Sequence, residues 1–393
     1  MLNDKCFQTF FPTKVVFEKG AVKNKLVEKL KELQIEHVLI VTDEGLNKTN
    51  IIRQIEEYLD KNEFKFTIFS EVEPNPTIDT INKGKALFEQ NKCKGVIAVG
   101  GGSSMDTAKA ISLAANVKES ILEYERGAGK KDITGPLSPI LSIPTTAGTG
   151  SEVTPIAVIT DSVQKRKFIL SSPYLYSKYA LIDPTMTYTL PQNIIAETGI
   201  DALVHAIETY VNNQTTPISD ALSLESIKMI RKYLPKSYAD PTNEEAKAQV
   251  LLASTIAGMS ITVSGTALVH SISHPITSKL GVSHGLANAI ILPYIIDFNL
   301  MANYKKYAKI ACLFDSEAYS LTEYRAAEKL SYYIREFNEL FNIPDNFNFV
   351  SQKINEDIIN SLTEDTMKET GTYRNIRHSN ENEILELYKQ LLF

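Results

Sequence analysis

The sequence predicts an α/β domain built on a mostly parallel sheet, followed by an all-α domain. Three observations carry this reading. In the first half, short apolar runs alternate with segments of helical period. Beyond Asp183-Pro184 the strand signal stops, and Ala-, Leu-, Ile- and Glu-bearing stretches follow one another. The length of 393 residues exceeds what one hydrophobic core serves, so two domains are expected, over 1–188 and 189–393.

Val22, Leu26, Val27, Leu30 and Leu33 recur at helical spacing, and His37–Thr42 reads as a buried strand. Ile51, Ile52, Ile55, Tyr58 and Leu59 mark the next helix, and the β-branched and aromatic run Phe64–Phe69 the next strand. Thr77, just after Pro76, is placed to cap a helix carrying Ile78, Ile81 and Leu87. Gly95–Val99 and Pro139–Ile143 read as two further buried strands, with a helix expected over Asp106–Ala115. Such alternation implies right-handed βαβ units. In the second half, Glu244–Val263 and Leu286–Asn299 have helical length and period. There Pro191, Pro217, Pro235, Pro241, Pro275, Pro293 and Pro344 read as punctuation.

Hydrophobic content of 43% and charged content of 22% describe an ordinary globular chain. A net charge of −6, with Lys165-Arg166-Lys167 as the longest basic run, gives no face for nucleic acid. Cys6, Cys93 and Cys312 are scattered and lack C-x-x-C spacing, as expected in a reducing cytoplasm. The start, Met-Leu-Asn-Asp-Lys-Cys, has no apolar leader, and no uncharged apolar stretch is expected to reach bilayer-spanning length. The expectation is a cytoplasmic homo-oligomer, a dimer or larger, with a small-molecule substrate and neither nucleic acid nor membrane as partner.

Two loops carry a phosphate-binding pattern. Val99-Gly-Gly-Gly-Ser-Ser-Met-Asp106 follows a predicted strand and opens a predicted helix, and its glycines let backbone amides approach an anion. A tight strand-to-helix turn is the plainer alternative. Ile143-Pro-Thr-Thr-Ala-Gly-Thr-Gly-Ser-Glu152 also follows a strand and is rich in hydroxyls and glycine. Two such loops on one sheet edge are what a pyrophosphate crevice needs. Asp43, ending the first strong strand, can accept hydrogen bonds from a ribose and repel a 2′-phosphate, favouring NAD over NADP; a helix-cap or turn role competes with that reading.

Four of the six histidines, His205, His270, His274 and His284, fall within one 80-residue window, and Asp201 lies one helical turn before the first. A carboxylate with imidazoles suits Fe(II), Zn or another borderline divalent ion and argues against Mg or Ca. Spacing alone does not separate ligands from a bystander among these histidines.

Taken together, Gly-Gly-Gly-Ser-Ser-Met-Asp, Ile-Pro-Thr-Thr-Ala-Gly-Thr-Gly-Ser-Glu, Gly-Ile-Asp-Ala-Leu-Val-His-Ala-Ile-Glu and the later histidines resemble the iron-containing (group III) alcohol dehydrogenase family, from Phe10 to the C-terminal helix. The resemblance implies a dehydroquinate synthase-like architecture: an N-terminal dinucleotide-binding α/β domain and a helical metal domain. It implies metal ligation by Asp201, His205, His270 and His284, with His274 beside the ion as a proton carrier. Cofactor positions fall on Asp43, Asn75, Gly101, Gly102, Ser103, Asp106, Thr145, Thr146, Thr149 and Lys167. The implied activity is hydride exchange between NAD(H) and a small primary alcohol or short diol, with Fe(II) or Zn as Lewis acid.

Two departures bear on substrate. Ile276-Thr-Ser-Lys279-Leu-Gly-Val-Ser283 stands where relatives carry an aromatic pair, and Tyr373-Arg374 precedes Asn375-Ile376-Arg377 where Asn-Pro-Arg is usual. Lys279 and Arg374 could take an anionic aldehyde or hydroxy acid; solvated surface cations are the alternative. A dehydroquinate synthase-type lyase shares the architecture but needs a basic cleft and different motifs.

Overall fold

The computed structural model describes residues 7–393 apart from Ala128 and Lys165, and only the backbone of Ser351, Gln352 and Lys353. Cys6 and the N-terminal segment on which the leader expectation rests lie outside the described residues, as does Lys165. Cys93 and Cys312 are free thiols. The chain forms two compact units, Thr9–Leu190 and Pro191–Phe393.

The first unit runs β1 (Lys14–Phe17), α1 (Ala21–Glu32), β2 (His37–Asp43), α2 (Glu44–Asn47), α3 (Asn50–Asp60), β3 (Lys65–Val72), α4 (Ile78–Gln90), β4 (Gly95–Gly100), α5 (Gly102–Ala114), β5 (Ile140–Pro144), β6 (Ile156–Asp161), β7 (Arg166–Ser171) and β8 (Tyr179–Ile182). Six strands form one sheet in the order β1-β8-β5-β4-β2-β3, every pairing parallel, while β6 and β7 make a separate antiparallel ribbon. Every residue of β4 and β5 is buried, as expected for central strands of a parallel sheet covered on both faces. Alternation divides β2 and β4 between two cores: Leu39, Val41, Val96 and Ala98 enter one, and Val38, Ile40, Ile97 and Val99 the other. Thr77 caps α4 by accepting from Thr80 N, as its position after Pro76 predicts. Helix α5 begins four residues ahead of the expected Asp106, because the glycines themselves enter its first turn.

The second unit is helical throughout its described residues: α6 (Gln192–Val211), α7 (Pro217–Ala239), α8 (Glu244–Ser264), α9 (Leu268–Leu280), α10 (His284–Phe314), α11 (Glu323–Glu328), α12 (Leu330–Glu339), α13 (Glu356–Lys368), α14 (Thr370–Arg374) and α15 (Glu381–Leu392), with short 3₁₀ turns between. Helix α6 packs against α7, α8, α9 and α10, and every residue from Gly199 to Val211 is buried. Contrary to their reading as punctuation, Pro235, Pro275 and Pro293 lie inside helices. A helical proline leaves the carbonyl four residues earlier without its donor. At Pro275 that carbonyl, Ser271 O, accepts from Thr366 Oγ1 (3.2 Å); at Pro293, Ala289 O accepts from Asn338 Nδ2 (2.8 Å).

Helices Glu244–Ser264 and His284–Phe314 are long and apolar enough to cross a membrane by length and composition, which corrects the expectation that no stretch reaches that length. Of their apolar windows, 61% and 56% lie buried inside the fold, as in the core helices of a helical domain.

Candidate metal centre and cofactor loops

A helix buried on all sides should carry no polar side chain without a partner, yet α6 buries Asp201, His205 and Glu208. Asp201 and His205 are one turn apart, and Glu208 follows on the same face. Helix α9 adds His270 and His274, and His284 opens α10. The start of α10 reaches α6 because Gly285 has no side chain: a Cβ there would lie 2.4 Å from Glu197 O. Ser283 Oγ closes the same junction by donating to Glu197 Oε2 at 2.6 Å.

One ligand atom each from Asp201, His270 and His284 lies within 4.8 Å of the others. Asp201 Oδ1 is 3.8 Å from Nε2 of both His270 and His284. His205, the fourth expected ligand, stands beside this trio: its ring stacks on His270 at 4.5 Å and its Nδ1 is 3.9 Å from Asp201 Oδ2. His274 also stays outside the trio, stacked on His284 (5.5 Å) with Nδ1 3.3 Å from Glu369 Oε1. The structure thus leaves both His205 and His274 beside the trio.

The donor set suits a cation. Asn288 Nδ2 donates to Asp201 Oδ1 (2.7 Å) and lies 3.2 Å from Nε2 of both His270 and His284. Two amide hydrogens thus face three acceptors, and Asn288 Oδ1 is buried without a hydrogen-bond partner. Protein groups alone do not satisfy the cluster; a divalent ion accepting the converging lone pairs would. Burial would raise the Asp201 carboxyl, but His205, His284, His270 and the Asn288 hydrogen bond outweigh it and hold it below its usual range. Burial, reinforced by His205, pushes His270 well below the usual imidazole range, so it is neutral, the form that ligates. Burial raises Glu208 to about 7, against the lowering pull of the Ala267 and Val269 N–H groups.

In the first unit, the expected cofactor residues gather at the carboxyl edge of the sheet. Asp43 ends β2, Asn75 follows β3, Gly101, Gly102 and Ser103 follow β4, and Thr145, Thr146 and Thr149 follow β5. Parallel pairing puts these ends side by side, the position where open α/β sheets bind ligands. A Cβ on Gly101 would lie 3.1 Å from Thr146 Oγ1, and Thr145 N donates to Gly100 O at 3.0 Å. Asp43 caps α2 by accepting from Leu46 N (2.9 Å), so the competing cap role is real for one of its oxygens. Asn75 has a left-handed φ of 57°, and its carbonyl accepts from Thr160 Oγ1; Thr160 pairs with Lys167 across the β6–β7 ribbon. The ribbon thereby brings Lys167 to the loop after β3. Asp106 accepts from Ser151 Oγ (2.8 Å) and Val158 N (3.0 Å), binding the second glycine loop to α5.

Lys279 and Arg374 are engaged within the helical unit. The Lys279 ammonium pairs with Asp365 Oδ2 (2.6 Å) and donates to Ser361 O (3.1 Å) on α13, while the Arg374 guanidinium lies against Gly265. Glu208, Asn288, Glu369 and Lys109 also belong to these sites, and no motif in the sequence marks them as site residues. Glu208 is seven residues after Asp201 and Asn288 four after His284, so helical spacing from an accepted ligand would have found both. Lys109, three residues after Asp106, is fully buried and donates to Ser151 O and Oγ (both 2.7 Å), Ile156 O (2.8 Å) and Thr154 Oγ1 (3.3 Å). Glu369 lacks any such signal, being 95 residues from His274.

Comparison with known proteins agrees across the whole chain. Residues 12–184 match the model for "Iron-containing alcohol dehydrogenase", and residues 195–392 that for "Fe-containing alcohol dehydrogenase family, C-terminal". Choline dehydrogenase of Bacillus subtilis is 34% identical, covering 98% of this chain and 95% of its own length. NAD-dependent methanol dehydrogenase of Bacillus methanolicus is 33% identical over 98% of this chain and 99% of its own. A crystal structure of 1,3-propanediol oxidoreductase superposes with a TM-score of 0.94 at 32% identity, covering 98% of this chain and 100% of its own.

Proposed function

We propose that this chain, which belongs to the iron-containing alcohol dehydrogenase family, is an NAD(H)-linked alcohol dehydrogenase and aldehyde reductase for a small primary alcohol or short diol. The observation that carries the reading is the convergence of Asp201, His270 and His284 within 4.8 Å. Relatives named for methanol and 1,3-propanediol support a small neutral substrate, and so does the pairing of Lys279 with Asp365, which neutralises the cation that an anionic substrate would need.

In this proposal Asp201, His205, His270 and His284 hold Fe(II), with His205 the ligand that stands beside the trio. Residues 189–393 form the metal domain, and residues 1–188 hold NAD through Asn75, Gly101, Gly102, Ser103, Thr145, Thr146, Thr149 and Lys167. Asp106 and Lys109 fix the second glycine loop from beneath. Asp43 discriminates against NADP, because a carboxylate near the ribose meets a 2′-phosphate with like-charge repulsion. When bound, the ion supplies Lewis-acid polarisation of the substrate oxygen and the nicotinamide supplies or accepts the hydride.

The chain's own part is orientation and proton handling. Glu369 faces Nδ1 of His274, which leaves Nε2 to exchange a proton with the substrate hydroxyl. Burial keeps His270 neutral, and its imidazole neighbours hold the Asp201 carboxyl below its usual range, so these two groups are ready to ligate. The test is a substrate panel on purified protein reconstituted with Fe(II), following NADH absorbance. Short neutral alcohols, 1,3-propanediol and their aldehydes should turn over with the highest kcat/KM. Preference for a carboxylated or phosphonated aldehyde would overturn the substrate class, and no turnover of any alcohol or aldehyde would overturn the activity.

A further inference from the structure

One buried acid on α6 has no part in the ligand set described above. Glu208 is 2% exposed, and its carboxylate accepts from three donors on the neighbouring segment. Ala267 N lies 3.1 Å from Oε2, Val269 N 2.6 Å from Oε1, and His270 Nδ1 2.6 Å from Oε2. Ala267 is the N-cap of α9 and supplies no side-chain cap, so the first donors of α9 are met from another helix by this one carboxylate. A capping role needs only the two backbone contacts. The contact with His270 goes further: both carboxylate oxygens already accept a backbone N–H, and with the carboxylate an acceptor on each side the ring nitrogen 2.6 Å from Oε2 is the donor.

We propose that Glu208 is the positioning residue of the metal centre: it holds the proton of His270 on Nδ1 and so commits Nε2 to the point shared with Asp201 and His284. The same carboxylate anchors the first turn of α9, so the acceptor that orients the ring is itself fixed to the start of the helix that bears it. Nε2 consequently faces Asp201 Oδ1 at 3.8 Å as a lone pair. Acidic partners of ligating imidazoles act this way in metal sites generally, and their loss typically costs about 10–100-fold in metal affinity. The inference rests on the reading of His270 as a ligand.

The experiment uses full-length protein stripped of metal and titrated with Zn²⁺ against a chromophoric chelator, comparing wild type, Glu208→Gln and His270→Ala. Glu208→Gln keeps the shape of the side chain and removes its charge. Its Zn²⁺ affinity should fall about 10–100-fold, with circular dichroism of the metal-free protein close to wild type and its melting temperature lowered, because the amide can accept at only one of the two oxygen positions. In ¹⁵N-histidine-labelled wild type, the His270 signal should report a proton on Nδ1, and this measurement holds even if the variant fails to fold. Wild-type affinity in Glu208→Gln, with loss of binding in His270→Ala, overturns the role of Glu208 and keeps the metal centre. A His270 proton on Nε2 in the wild type likewise overturns it. Wild-type protein that binds no Zn²⁺ overturns the centre and this inference together.

Discussion

Gly102 and Thr149 stand so close that a Cβ on Gly102 would lie 2.8 Å from the Thr149 Cγ2 methyl. The first turn of α5 and the loop after β5 therefore share a space that admits only hydrogen. Overpacking of this kind costs about 1–3 kcal/mol. Gly102→Ala should push the loops apart and weaken NADH binding roughly 5–150-fold, read by fluorescence titration, with metal content unchanged. Thr149→Ser removes the clashing methyl and should restore much of the affinity to Gly102→Ala. Unaltered NADH binding in the single variant would take these loops out of the cofactor site.

His284 and His274 stack at 5.5 Å, yet the trio includes only the first. His284→Ala should lose metal and activity together. His274→Ala should keep its metal and lose turnover, by about 10²–10⁴-fold if it is the proton carrier. Elemental analysis of both purified variants decides between them, and metal-free His274→Ala protein would reverse the assignment.

Asp43 combines a cap for α2 with the proposed discrimination at the ribose. Glycine is nearly as good a cap as aspartate, differing by only a few tenths of a kcal/mol, so Asp43→Gly separates the two roles. The variant should melt close to wild type while its NADP/NAD ratio of kcat/KM rises. A wild type that already prefers NADP would show that Asp43 does not face the ribose.

Lys279 is tied to Asp365 in a part-exposed pair. Such pairs contribute about 0–1 kcal/mol, so Lys279→Ala should change stability little and should lower kcat/KM equally, and slightly, for propanal and for a carboxylated aldehyde. A large loss confined to the anionic aldehyde would put Lys279 in the substrate pocket.

Lys109 is buried beneath the second glycine loop, and burial pulls its ammonium down to about 8. Its folded-state value is thus below the unfolded one of 10.5. Between these values the unfolded chain binds more protons, so the contribution of Lys109 to stability rises from pH 8 to 10.5 and is smallest below 8. Lys109→Met strands Asp106 without its cation and should cost about 3–5 kcal/mol at neutral pH. The wild-type-minus-variant difference in urea unfolding should widen as pH rises through that window. A difference that narrows would mean that Lys109 keeps its charge throughout.

The sequence makes the central strands legible because His37–Asp43 and Gly95–Gly100 are apolar runs buried on both faces. Four-residue Lys14–Phe17 and Tyr179–Ile182 are too short to show a period, and Arg166–Ser171 begins with two cations that read as surface. Asp201 and His205 emerge from helical spacing, as do the two histidines of α9. That spacing cannot reveal which histidine turns toward Glu369, 95 residues beyond His274, or which accepts the company of Glu208. Prolines 275 and 293 misled for a related reason: their compensating donors, Thr366 and Asn338, come from distant segments.

The carbonyl freed by Pro275 has a consequence for biosynthesis. Ser271 O waits for Thr366, the start of α9 packs against Gly371, and His274 waits for Glu369, which is translated 95 residues after it. The Thr9–Leu190 unit contains its whole sheet within its own span and can fold as the chain emerges. Helix α9 gains these contacts only once residues 366–371 have been made. Synthesis therefore has a built-in order, in which the Thr9–Leu190 unit can assemble first and the His270 and His274 neighbourhood is completed after it.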